Sequence, residues 1–268
     1  MTRSHTDRLL VGLLVAVAVT FAGPVVDAGI SASSARLAAS QQRHHRHKNV
    51  KHRHRAVVAP VAPAPGASRS LVGTFKINPG SYGTGKGASG SWFRMVLPGG
   101  TAAQGPFFSN PDSAASDKTF TLFNPGTDGG LVTGAFQEPP SPAFGSNGNA
   151  LAAKIVTPTK FAGVDFSLST SAKDAQTGLT VPTPAITDTA GKLTGQLKAF
   201  TAEWNKQFFN QGSPKPDGGT PGITSPVTGT YDETTHAFTI SWASSIVGGP
   251  FNGFTGVWHF EGVFVGCG

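Results

Sequence analysis

Val227-Thr-Gly-Thr-Tyr-Asp-Glu-Thr-Thr-His-Ala-Phe-Thr-Ile-Ser-Trp242 decides the fold class of this 268-residue chain. Phe238, Ile240 and Trp242 alternate with Thr239 and Ser241. A period of two puts the apolar three on one face of a strand and the hydroxyls on the other. Val227–Tyr231 is a second short run, and Asp232–Thr235 between them is polar and turn-forming. Together they predict a β-hairpin. A Gly-rich loop, 245–256, leads to a last strand, Val257–Val265, in which Trp258, Phe260 and Phe264 share the core face.

Working toward the N-terminus, Leu71–Ile77, Ser91–Leu97, Thr119–Phe123, Gly130–Gln137, Ala150–Thr157 and Phe161–Ser169 are further short runs, each bounded by Gly, Pro, Asn or Asp. Pro98-Gly-Gly100 is expected to close the second of them. This spacing belongs to antiparallel all-β folds. Residues 193–210 stay open between strand and helix. Leu193, Leu197, Phe200, Trp204 and Phe208 recur at helical spacing. Against a helix stand Thr194-Gly195 and Thr201, and Asn205-Lys206 suits a hairpin turn. Gly and Pro make 55 of the residues (35 and 20), a composition close to that of disordered chains. Nineteen Phe and four Trp oppose disorder, because they supply a core. The expectation is one antiparallel β-sandwich or barrel-like domain over 70–268.

What precedes the domain has a different character. Arg3 and Arg8 supply a positive segment before an apolar run, Leu9–Phe21, and Val26-Asp-Ala28 offers a cleavage site, so 1–28 reads as a secretory signal. No transmembrane segment is expected after its removal. Residues 29–69 read as a disordered tail ending in a Pro/Ala stalk, Ala56–Gly66, extended at about 3.1 Å per residue in polyproline II. Within the tail, 43–55 holds six cations, Arg43, Arg46, Lys48, Lys51, Arg53 and Arg55, and five of the eight histidines, His44, His45, His47, His52 and His54. Up to Arg69 the balance is ten Lys/Arg against two Asp, or +8; from Ser70 onward it is eleven against twelve, or −1. The net +7 therefore describes the tail and not the domain.

Such a tail suits adhesion to an anionic wall polymer or lipid surface, each cation contributing about 1 kcal/mol there. Neutral imidazoles spaced as in His45-x-His47 and His52-x-His54 also suit capture of a divalent metal or haem, against the repulsion of six neighbouring cations. Export makes nucleic acid an unexpected partner. Cys267 is the only cysteine, which excludes an intrachain disulfide and cysteine-rich metal sites.

Within the domain, motifs for chemistry are sparse. Gly80–Gly87 lacks the Ser or Thr that a phosphate-binding loop needs after Lys86, and reads as a flexible loop. His259 and Glu261 are two apart on the last strand and should lie on its outer face, without a third polar group beside them. His236 opens a hairpin strand and would approach them only if the two strands are favourable neighbours. Asp112, Asp117 and Asp128 sit in turns at no calcium-loop spacing. Phe107, Phe108, Phe251 and Phe254 fall in loops and are the candidates for an exposed apolar contact.

Trp204-Asn205, Phe209-Asn-Gln-Gly212, Gly229-Thr-Tyr-Asp232, Trp242, Gly248-Gly-Pro-Phe-Asn-Gly253 and Gly256-Val-Trp258 with Glu261-Gly262 resemble a C-terminal pattern of uncharacterised exported bacterial β-proteins. The resemblance implies secretion and an all-β fold, and it assigns no activity to any residue. The functional expectation is a secreted, envelope-associated, non-enzymatic binding or structural protein. The alternatives are metal or haem capture by the tail, and a hydrolase. No cofactor is expected beyond weakly held divalent metal on the tail.

Overall fold

The computed structural model describes residues 67–83, 85 and 87–267, and among them there is no helix. The signal sequence, the tail cations and histidines and the stalk fall outside the described residues. β1 (Ser68–Leu71), β2 (Gly73–Ile77), β3 (Ser81–Gly83), β4 (Gly87–Ser89), β5 (Trp92–Thr101) and β6 (Gly105–Phe107) come first. β7 (Phe120–Leu122), β8 (Gly130–Thr133), β9 (Thr159–Phe161), β10 (Val164–Thr170), β11 (Ala185–Thr189) and β12 (Lys192–Gln196) follow. The chain closes with β13 (Phe200–Trp204), β14 (Gln207–Asn210), β15 (Ser225–Tyr231), β16 (Ala237–Ser245) and β17 (Thr255–Gly266).

β11, β12, β15, β16, β17 and β2 are hydrogen-bonded neighbours in that order, each antiparallel to the next. β1 runs into β2 through Val72 alone and pairs back with β11, which nearly closes the sheet into a barrel. Glycine is required at the joint: a Cβ on Gly73 would stand 2.3 Å from Val265 O. Along its first half, β17 pairs instead with β5. A second sheet, in the order β14-β13-β10-β9, lays Phe166, Leu168, Phe200 and Trp204 into the shared core. Phe200 meets Trp242 and Trp258 edge-on at 5.1 and 5.2 Å, and the two indoles stack at 5.8 Å. Trp258 is fully buried. Each such aromatic pair adds about 0.5–1.5 kcal/mol beyond the area it buries.

The hairpin at 227–242 forms as β15 and β16, and Trp258, Phe260 and Phe264 face the core. Residues 193–210 are strands. Asn205 and Lys206 both take positive φ, 48° and 60°, as a two-residue type I′ turn requires, and they join β13 to β14. The same turn chemistry divides the single run expected at Phe161–Ser169: Ala162 (φ 48°) and Gly163 (φ 88°) fold it into the hairpin β9–β10. Ala150–Thr157 is not a strand. Its Ile155 and Val156 are buried, yet it makes only isolated bridges, Pro125 with Val156 and Phe144 with Ala150. β8 stops at Thr133, short of Gln137, whereas β5 runs through Pro98-Gly-Gly100 to Thr101. There the pairing with β6 slips between Val96 and Thr101, an irregularity of the kind that accommodates proline in a strand.

Candidate functional site

The loop after β14 reads Gly212-Ser-Pro-Lys-Pro-Asp-Gly-Gly219, which by composition is a polar surface turn. Lys215 N donates to Gly219 O at 2.9 Å, Gly218 N donates back to Lys215 O at 2.8 Å, and Gly219 N caps on Asp217 Oδ1 at 2.8 Å. The turn sends the Lys215 side chain inward, where the residue is only 7 % exposed. Its Nζ donates to Asn210 O at 2.7 Å and to Ser244 Oγ at 2.8 Å. Ser244 in turn donates to Gly212 O at 2.8 Å. Asn210 extends the network: its Nδ2 donates to Asp174 Oδ2 at 2.8 Å, and its backbone N donates to Gln176 Oε1 at 2.9 Å. Asp174, itself buried, accepts from Thr177 N and Oγ1 through its other oxygen.

A buried ammonium loses hydration, so burial lowers Lys215 to about 8, although Asp174 and Asp217 nearby oppose the change. Lys215 forms part of the wall of a recess of about 570 Å³, with Asn210, Gln176, Thr177, Leu179 and Val247. The volume lies within the range of small-molecule sites, which combine apolar walls with a few fixed polar groups. Leu179 and Val247 are 43 % and 53 % exposed, so apolar surface remains open at the recess.

On the outer face of the large sheet, Ser241 and His259 stand directly opposite each other on β16 and β17. Ser241 Oγ lies 2.8 Å from His259 Nδ1, and His259 Nε2 lies 3.3 Å from Glu261 Oε2. The expectation of no third polar group is thus corrected, because Ser241 supplies one. Trp92 stacks on the imidazole at 5.1 Å. Glu261 accepts from Gly90 N at 2.7 Å through its second oxygen, while its own N donates to Ser91 Oγ. These contacts tie β5 and the 90–91 turn to β17, and they give each group in the row a structural task.

A third polar cluster is wholly internal. Glu203 on β13 is fully buried and accepts from Ser167 Oγ and Ser169 Oγ on β10. Burial raises it to about 6 against the two hydroxyls, which favour the charged form.

The remaining sequence candidates do not converge. His236 bonds Tyr231 Oη through Nδ1 at 2.7 Å, and its carbonyl meets Phe264 N farther along β17 than His259. Asp117 caps Thr119 N, Asp112 accepts from Gly163 N and Asp128 from Gln137 Nε2, so the three carboxylates serve separate loops. Residues 81–83 and 87–89 pair as the hairpin β3–β4 where a flexible loop was expected; Lys86 is outside the described residues. Phe107, Phe108, Phe251 and Phe254 do not stand exposed. Phe108, Phe251 and Phe254 are half-buried against the core, with Phe251 within 5.1 Å of Trp204. Phe107 lies under the Arg94 guanidinium at 3.3 Å.

Sequence reasoning missed Lys215, Asp174 and Glu203. Pro214 and Pro216 restrict the backbone around Lys215, the one local sign that its direction is fixed. No protein-family model, curated protein or solved structure matches the chain.

Proposed function

We propose that this is an exported, envelope-associated binding protein that acts without catalysis, its β domain taking a small, part-apolar molecule of no net charge in the Lys215 recess. The observation that carries the reading is the nearly buried amine in the wall of a recess of about 570 Å³. Of the three donors on an ammonium, two have partners in the protein and one is left for a ligand. Electrostatics favours an uncharged guest. Asp174 and Asp217 act on Lys215, and Lys198 Nζ lies near Gly218 of the same loop, so charges of both signs stand around the amine. In this reading the basic segment 43–55 holds the protein to an anionic wall or membrane surface, and the histidines strengthen that hold below about pH 6.5.

Two measurements test the reading. Thermal stabilisation of the full chain by a panel of small alcohols, amides and zwitterions should occur in the wild type and vanish in Lys215→Met. Equal shifts in both proteins, or none with any compound, would remove the recess from the proposal. Retention on anionic vesicles should fall steeply with salt, because exposed charges are screened beyond about 8 Å at physiological ionic strength, and it should survive a chelator. Loss to the chelator with indifference to salt would support metal capture by the tail instead.

A further inference from the structure

We propose that Lys215 captures small aldehydes covalently as an imine inside its recess. The inference rests on the binding reading above and names the chemistry of the guest. An amine attacks a carbonyl with its nitrogen lone pair, so the requirement is a neutral amine whose lone pair no neighbour occupies. Both partners of Lys215 Nζ meet this requirement. Asn210 O can only accept. Ser244 can donate one hydrogen, and that hydrogen goes to Gly212 O at 2.8 Å, which leaves its oxygen to accept from the lysine. A neutral Lys215 amine therefore gives its two hydrogens to Asn210 and Ser244, and neither of these partners takes up its lone pair.

The surroundings favour the same chemistry. Burial disfavours the ammonium, so a large share of the amine is neutral at pH 8, where an exposed lysine is almost wholly charged. The charged groups around it are Asp174, Asp217 and, beside Gly218, Lys198, which leave one negative charge in excess while the amine is neutral and so favour an uncharged aldehyde over an anionic one. The exposed apolar side chains Leu179 and Val247 suit the carbon chain of the guest. In the reaction the C–N bond forms and the C=O bond breaks. The carbonyl oxygen leaves as water, carrying the two amine hydrogens. The imine nitrogen then takes one proton from solvent, and the resulting N–H serves Asn210 O or Ser244 Oγ, with Asp174 and Asp217 near its positive charge.

The test uses the full chain at pH 8 with butanal at low concentration, reduction by cyanoborohydride, and peptide mapping by mass spectrometry. Lys215 should gain the butyl group at least about tenfold faster than the exposed Lys192 and Lys206, since burial lowers Lys215 to about 8 and leaves much of its amine neutral at that pH. In 6 M guanidinium the preference should disappear. Labelling of Lys215 no faster than of Lys192 and Lys206 in the folded protein overturns the proposal. Butanol, which cannot form an imine, separates the two readings. If butanol binds in the wild type and not in Lys215→Met while butanal leaves Lys215 unlabelled, imine capture fails and the recess remains a binding site. If butanol does not bind and Lys215 is not labelled, both readings fail.

Discussion

Replacing Glu203 by Gln tests whether the internal carboxylate is held at a cost. Glu203 is fully buried between two serine hydroxyls, and burial lifts it from 4.5 to about 6. A carboxyl whose folded value lies above its unfolded one binds more protons when folded across that interval. Stability then declines as pH rises from about 4.5 to about 6 and stays reduced above it. The gap between 4.5 and about 6, at about 1.4 kcal/mol per pH unit, comes to about 2 kcal/mol. Gln has the same shape and does not titrate, so the variant lacks this decline. Urea unfolding of both proteins at pH 4.0 and 7.5 should show the stability difference moving by about 2 kcal/mol in favour of Glu203→Gln as pH rises. The absolute offset at pH 4.0 reports how well the amide fits its serines and does not bear on the argument. A difference that stays constant between the two pH values would refute it, since the carboxyl would then ionise alike in both states.

Lys215 has the opposite sign: a lowered cation binds fewer protons when folded, so wild-type stability should rise by about 2 kcal/mol between pH 7 and pH 9.5, and Lys215→Met should lack that rise in the same urea assay. Gly229→Ala should cost about 3 kcal/mol or more in thermal unfolding, because its Cβ would fall 1.8 Å from Thr239 O and force β15 from β16. Arg94→Lys should lose about 1–2 kcal/mol, since the planar guanidinium lies over Phe107 at 3.3 Å and Phe120 at 4.1 Å while donating to Thr119 Oγ1. Chemical denaturation of that variant at constant pH is sufficient to check it.

The elements legible in the sequence were those whose cause is local. Phe238, Ile240 and Trp242 needed only alternation, whereas at 193–210 the turn chemistry of Asn205-Lys206 competed with a helical spacing and left strand and helix both open. Misreadings arose where distant structure overrides local pattern. Ile155 and Val156 have strand-like residues and a buried setting, yet their segment lacks a continuous partner strand. Ala162-Gly163 turns a hairpin although alanine seldom takes positive φ, so an unbroken apolar run was expected there. At the site the limit was sharper. Lys215 is buried by Asn210, itself bonded to Asp174 36 positions earlier, and by Ser244 on another strand, and a polar Pro-Lys-Pro-Asp-Gly string carries no trace of those contacts. The Ser241–His259 contact depends on register between β16 and β17, which becomes readable only once the strands are aligned.

The last strand has a consequence for how the chain is made. β17 pairs with β16 on one side and with both β2 and β5 on the other, so segments almost two hundred positions apart wait on its arrival. Synthesis runs from the N-terminus, and contacts so distant along the chain form slowly. A chain cut short before Thr255 would leave β2, β5 and β16 with open edges and would deprive the core of Trp258 and Phe260. Completion is thus expected to be coupled to folding: a product ending before Thr255 should be more open to proteases than the full-length chain, whose last strand joins β16, β2 and β5.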